Sequence, residues 1–421
     1  MKTLKINDNI SLHYIDMKKL KTNTVGIYIR RPLKEEEASK NAVLSYVLKN
    51  GCKKFDTTLK ITRQLQNLYG ATLNAGVIKN GDNHVICFDA ETISDKYAPE
   101  GEKLTNELLD LLLNVIFKPL TNENSFNKDI VEREKKTLIN RIDSLVNDKR
   151  AYAQLRCNEE MCKGDNYALT RLGTKDSALG IDEKNLYEHY EKIISSSQID
   201  IFISGEANIN EASNIVNDFV KNINFIKAEI PESKIIEKSE NTNNVTDKLD
   251  VTQGKLSIGF TTQISANDKD YPALVVANSI FGSGTHSKLF NNVREKLSLA
   301  YYASSSLHKF KGLMFVDAGI EFDKFQEAYK ETIYQLNLLK KGEVSDEELK
   351  FSKSTIINSL NSYYDDQRYM QMYALDCLYL GINCDIEKYK TDIENVTIED
   401  ILRVSKNINE NTVYFLTGKN D

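Results

Sequence analysis

Positions alternate along residues 22–31, where Val25, Ile27 and Ile29 are separated by Gly26 and Tyr28. That period of two reads as a β-strand, and residues 3–16 read as another. After Pro32 the acidic run LKEEEASK reads as a turn. The apolar helical pattern NAVLSYVLKN follows, closed by Gly51 just past its end. TLKITRQLQNLYG predicts a second, amphipathic helix, with strands at 72–79 and 83–91 after it. A helix over 103–117 stops before Pro119. A longer one over 126–147 carries Val131, Leu138, Ile142 and Leu145 along one stripe. Helical segments at 150–163 and 183–194 lead to the strand IDIFIS.

The second half repeats this programme. A strand at 255–262 precedes a helix at 270–281, the turn GSGTH and a helix at 286–297. Strands at 300–308 and 312–321 and a helix at 324–341 come next. Ser345 with Glu348, and Thr397 with Asp400, have the spacing of capping boxes that open two late helices. TVGIYIR, with Gly26, pairs with SIGFTTQ, with Gly259. Ala71 pairs with Ala300, Asp89-Ala90 with Asp317-Ala318, Asp148 with Asp366, and the end of IFISG with that of YFLTG. The offset between copies shrinks steadily along the chain, as a few loop insertions in the first copy would produce. An ordered long-period duplication means two similar domains. The expected architecture is α+β: two homologous domains, each an antiparallel-rich sheet with helices packed on one face. Residues 1–225 form the first domain, the polar segment 226–247 with Pro231 a linker, and residues 248–421 the second.

Composition narrows the function. Of 421 residues, 41% are hydrophobic and 28% charged, ordinary values for a globular protein. A formal charge of -6 without a basic block argues against nucleic acid as the partner. No apolar run reaches membrane-spanning length, and the N-terminus lacks the apolar core of a signal peptide. Six cysteines without CxxC spacing are expected to be reduced thiols in the cytoplasm. The turn Phe281-Gly282-Ser283-Gly284-Thr285 lacks the strand and the lysine of a phosphate loop. The cysteines and histidines form no recognisable nucleophile–base motif in the sequence.

FGSGTHSKLFNNVREKLSLAY, followed by a strand pair, resembles the second half of pitrilysin/insulinase-like zinc metallopeptidases, which include the mitochondrial processing peptidase. Arg294-Glu295-Lys296 with Leu299-Ala300-Tyr301 matches that family's R-E-x-x-x-L-A-Y pattern, and the resemblance covers essentially the whole chain. It implies a clam-shell of two lobes. It also implies a zinc site in the first lobe built on HxxEH, with a later glutamate as third ligand and the motif's own glutamate as general base. Aligned on Gly51, that motif falls on Ala42, Val43, Leu44, Ser45 and Tyr46. The third ligand falls on Arg141, although Glu134 of the same pattern is kept. The five histidines show no ligating spacing and read as surface or locally satisfied groups, so no metal is expected in this chain.

The resemblance implies that Arg294 and Tyr301 reach the substrate and can hydrogen-bond a carbonyl under attack. Tyr302, on the opposite face of its strand, reads as structural. The resemblance also implies that peptides add to a sheet edge at Leu73, Asn74, Ala75, Gly76 and Val77. The expected role is a non-catalytic, substrate-binding subunit of a heterodimeric zinc peptidase, with zinc in an HxxEH-bearing homologous partner. A homodimer is an open alternative to the heterodimer when the chain is alone. The alternative is an inactive homologue that binds peptides or acts as a scaffold.

Overall fold

The computed structural model describes residues 1–99 and 101–419. In chain order, the first half holds β1 (Lys2–Lys5), β2 (Ile10–Asp16), β3 (Thr22–Pro32), α1 (Glu35–Lys49), α2 (Thr58–Asn67), β4 (Thr72–Asn80) and β5 (Asn83–Ile93). It continues through α3 (Leu104–Phe117), β6 (Thr121–Asn122), β7 (Ser125–Phe126), α4 (Lys128–Ser144) and α5 (Lys149–Met161). Next come α6 (Lys175–Leu179), α7 (Glu183–Ser196), β8 (Gln198–Gly205) and α8 (Ile209–Val220). The second half holds β9 (Asn243–Leu249), β10 (Gly254–Thr261), α9 (Tyr271–Phe281), a π-helical stretch (Leu289–Lys296), β11 (Ala300–His308) and β12 (Leu313–Ile320). The chain ends with α10 (Phe325–Lys340), α11 (Asp346–Ser362), α12 (Gln367–Leu380), α13 (Ile386–Glu394), α14 (Ile398–Ser405) and β13 (Asn409–Gly418).

The main sheets repeat one order. The first runs β1-β2-β8-β3-β5-β4 and the second β11-β12-β10-β13-β9. Without β1, each reads edge strand, parallel neighbour, central strand and antiparallel hairpin. β2 pairs parallel with β8 as β9 does with β13, and the remaining pairs are antiparallel. The duplication read from scattered residues is thus a duplication of sheet topology. Residues 243–249, read partly as linker, are the strand β9, the counterpart of β2. β9 lies at an edge and is largely exposed, so its polar sequence carries little apolar alternation.

Two further expectations change. Residues 3–16 are two strands, because the Asn7 side chain accepts from the backbone N–H of Asn9 and Ile10 and folds the chain into a turn. The acidic run after Pro32 is the first turn of α1, where Glu35, Glu36 and Glu37 meet the positive end of the helix.

The compact units are discontinuous in sequence. One comprises residues 1–143, 169–232 and 363–376; the other comprises 144–168, 233–362 and 377–421, of which residues 420 and 421 lie outside the described residues. In the first unit, Val25, Ile27 and Ile29 point into a core with Ile86, Phe88 and the α3 leucines. Thr24, Gly26 and Tyr28, on the opposite face, meet the buried Gln367 and Gln371 of α12. In the second unit, Leu256, Ile258, Phe260, Met314, Val316 and Ala318 pack with α9 and α14. The alternate residues Leu313 and Phe315 join Tyr414 and Leu416 under Ala153, Cys157 and Met161 of α5. Most helices therefore cover one face of each sheet, and a single helix encoded in the opposite half covers the other.

Candidate functional site

The first unit shows what replaces the metal motif. Ala42 and Ser45 are fully buried in α1, and the Ser45 hydroxyl donates to the Ala42 carbonyl at 2.8 Å, so it is spent within its own helix. Tyr46, one residue on, is half-buried. Val131 and Leu138 anchor α4 with full burial, and Arg141 follows Leu138 by three residues on the adjoining face. Its guanidinium carbon lies 4.5 Å from the Tyr46 ring centroid, and Nη1 donates to the phenol oxygen. The positions that would supply the second histidine and the third ligand therefore touch each other as a cation and an aromatic ring. Glu134, retained from the pattern, accepts from Asn50 at 3.0 Å and from Arg133 at 3.1 Å.

Zinc does not fit these residues. A methyl group, a helix-bonded hydroxyl, a neutral phenol and a guanidinium offer no imidazole or thiolate, and the guanidinium is a fixed positive charge. Among the described residues no group of three or more His, Cys, Asp or Glu side chains could hold a metal ion.

A polar network lies one residue before the motif. Asn41, fully buried, donates through Nδ2 to His84 Nδ1 at 2.9 Å and accepts at Oδ1 from His189 Nε2 at 2.8 Å. His84 Nε2 donates to the Arg171 carbonyl at 2.8 Å. This assignment of donors satisfies every bond, and with Nδ1 accepting and Nε2 donating it makes the His84 imidazole neutral. Burial pushes His84 down to about 4 and His189 to about 3. Beside them, burial raises Glu37, but hydrogen bonds from Arg31 and Lys192 outweigh it and hold the carboxyl at about 2. The two histidines, remote from each other in sequence, thus form one network, which sequence spacing did not reveal.

Leu73, Asn74, Ala75, Gly76 and Val77 lie in β4, the edge of the six-stranded sheet. Leu73 and Val77 are buried, Asn74 is exposed, and a Cβ on Gly76 would meet nothing within 4 Å. Among the described residues β4 pairs only with β5, and α1 packs against it.

In the second unit Arg294 lies in the π-helical stretch. The Leu297 N–H reaches back to the Asn292 carbonyl and that of Leu299 to Val293, with Ser298 at a φ of 50°. Such wide turns are rare and occur frequently at functional sites. The Arg294 guanidinium carbon stacks 4.6 Å from the Phe290 centroid, and Nε lies 3.5 Å from a Glu295 oxygen. Tyr301 opens β11, is 60% exposed and donates its hydroxyl to Glu321. That hydrogen bond raises the phenol above its usual range and keeps it a donor. Tyr302 is half-buried, with the Arg150 guanidinium 4.2 Å from its ring centroid.

Comparison with known proteins places this geometry. Residues 180–356 match the family described as Peptidase M16 inactive domain. The chain is 35% identical over 409 residues to the probable inactive metalloprotease YmfF of Bacillus subtilis, covering 97% of this chain and 96% of that one. Its structure superimposes on that of a conserved protein from Enterococcus faecalis with a TM-score of 0.92, at 27% identity over 100% of this chain and 99% of the other. It superimposes on a peptidase M16 inactive domain from Pseudomonas fluorescens with a TM-score of 0.81, at 15% identity over 99% and 98% of the two chains. With the metal motif replaced residue by residue, this chain belongs to the M16 peptidase family and resembles its inactive members.

Proposed function

We propose that this chain is the non-catalytic, substrate-binding and activating subunit of a heterodimeric zinc-dependent peptidase. A homologous HxxEH-bearing chain supplies zinc, and Arg294 and Tyr301 contribute to peptide binding and to stabilising the oxyanion. The observation that carries this reading is an asymmetry between the units. Arg141 and Tyr46 fill the metal positions of the first, while Arg294 and Tyr301 stay accessible at the surface of the second. A guanidinium and a protonated phenol both donate hydrogen bonds, which is what a developing oxyanion needs. Six thiols without a disulfide support a reducing compartment, the cytoplasm.

Arg294→Ala and Tyr301→Phe, each assembled with the HxxEH-bearing partner, should lower kcat/KM for peptide hydrolysis by roughly a hundredfold or more, the scale of a lost oxyanion donor. Assembly and zinc content of the complex should be unchanged. Full activity in both variants would refute the proposed role of the pair.

One observation favours a second reading, a peptide-binding or scaffolding protein without a part in chemistry. The Tyr301 hydroxyl is already donated to Glu321, and Arg294 rests against Glu295 and Phe290. That reading predicts stable association with a partner and no kinetic effect of either substitution.

A further inference from the structure

Three side chains of the first unit form a relay that the reading above does not use. The Thr3 hydroxyl lies 3.0 Å from His13 Nδ1, and His13 Nε2 lies 3.0 Å from an Asp200 carboxylate oxygen. Thr3 is exposed in β1, whereas His13 in β2 and Asp200 in β8 are only 2% and 6% exposed. Phe202 stacks on the imidazole with centroids 4.6 Å apart, and Tyr28 meets Phe202 edge-on at 5.7 Å, which fixes the plane of the imidazole. A hydroxyl, a base within hydrogen-bond reach and a third group that orients the base are the parts of an activated nucleophile.

The strand register brings these three residues together. Thr3 stands opposite His13 in the antiparallel pair β1–β2, and β2 runs parallel to β8 with His13 opposite Phe202, two residues after Asp200. The Ile6 N–H donates to the Ile10 carbonyl at 2.9 Å. Bonded and non-bonded pairs alternate along an antiparallel ladder, so Leu4 and Leu12 are the next bonded pair and Thr3 faces His13 as a non-bonded one. Non-bonded pairs bring their side chains closest and turn their backbone groups away from the partner strand. The Thr3 N–H is therefore aimed at the open side of β1, the outer strand of its sheet among the described residues.

A carboxylate only accepts hydrogen bonds, so a neutral His13 carries its proton on Nε2 and presents the Nδ1 lone pair to the Thr3 hydroxyl. We propose that Thr3 is an acyl-accepting nucleophile with His13 as its general base, and that its substrate class is an activated acyl ester. Thr3 Oγ1 bonds to the acyl carbon while its proton passes to Nδ1. The Thr3 N–H donates to the developing oxyanion, as a nucleophile's own backbone N–H does in serine peptidases. The ester C–O bond then breaks, the leaving oxygen takes the proton from Nδ1, and the products are an acyl ester on Thr3 and a free alcohol. Asp200 acts through His13 and is a positioning residue. The proposal involves none of the residues of the peptidase-subunit reading and stands without it.

The test exposes the full-length chain to p-nitrophenyl acetate at mildly alkaline pH and locates acetyl groups by peptide mass spectrometry. Hydroxylamine removes esters and spares lysine amides, which separates the two. Thr3 in the folded chain should be acetylated roughly a hundredfold or more faster than in the same chain unfolded in urea, the low end of general-base catalysis. His13→Gln should bring Thr3 down to the unfolded rate, and Thr3→Ser should still label at residue 3. Asp200→Asn should slow labelling with the thermal midpoint kept, and nitrogen NMR should show the His13 proton moved from Nε2 to Nδ1, where it blocks acceptance from Thr3. Equal Thr3 rates in the folded and unfolded parent chain overturn the proposal whether or not the variants fold, and leave the hydroxyl as an anchor for β1. A folded His13→Gln chain that labels at the parent rate overturns His13 as the base. An unchanged rate in Asp200→Asn overturns the positioning role, and a Thr3→Ser chain that does not label overturns the nucleophile.

Discussion

Asn41 shows what a single residue can decide. One carboxamide satisfies two buried imidazoles, donating to His84 and accepting from His189. Both rings are held neutral, since burial lowers His84 from 6.5 to about 4 and His189 to about 3. In the unfolded chain these histidines bind protons as pH falls below about 6.5; in the folded chain they resist until about 4 and 3. Their contribution is therefore complete above pH 6.5 and is lost as pH falls from 6.5 to about 4 for His84 and to about 3 for His189. For His84 the loss is at most about 3 kcal/mol. Asp317, which burial raises to about 6, works in the opposite sense, because its protonation below pH 6 relieves the folded state. A difference measurement separates the two. The unfolding free energy of His84→Gln, which retains a donor and an acceptor but does not titrate, should fall less steeply than that of the parent between pH 6.5 and 4. Equal slopes by urea denaturation would contradict the assignment. None of this was legible beforehand, because the histidines meet only through an asparagine to which no motif draws attention. The replacement of the metal motif's residues was legible, because four ill-suited side chains at fixed spacing need no tertiary information.

At the scale of elements, the exchanged helices explain two glycines that the duplication aligned without a reason. Gly26 and Gly259 stand at matching positions of β3 and β10, on the sheet face that receives α12 or α5. A Cβ at Gly26 would lie 2.5 Å from Gln371 Oε1, and one at Gly259 would lie 2.5 Å from Met161 Sδ. The caps match as well. Asp148 Oδ1 accepts from the N–H groups of Arg150 and Ala151, and Asp366 Oδ1 from those of Arg368 and Tyr369. Gln371 is buried and bonded to Thr24, Tyr28 and Ser204, so displacing it loses hydrogen bonds as well as space. A thioether can rotate away. Gly26→Ala should therefore cost about 2 kcal/mol or more and Gly259→Ala about 1 kcal/mol, by chemical denaturation. An equal or reversed order would contradict this packing. The alignment of Asp148 with Asp366 was visible in sequence, but the sheet each helix covers was not, since helical periodicity marks a buried face without naming its neighbour.

For the whole molecule, the strands, the duplication and the capping boxes at Ser345 and Thr397 could be read because each is a local pattern. β9 could not, being an exposed polar edge strand, nor could the assignment of residues 363–376 to the first unit. Among the described residues no helix is long and apolar enough to cross a membrane. What unites the account is the replacement of a metal ion by a stacked guanidinium in the first unit, with donor side chains kept at the surface of the second. The most direct test is the zinc content of the purified chain after exposure to zinc and dialysis, read by elemental mass spectrometry. The account predicts well under 0.1 equivalent per chain, as expected where no imidazole, thiolate or carboxylate set is assembled. One equivalent, lost on Tyr46→Ala or Arg141→Ala, would contradict it.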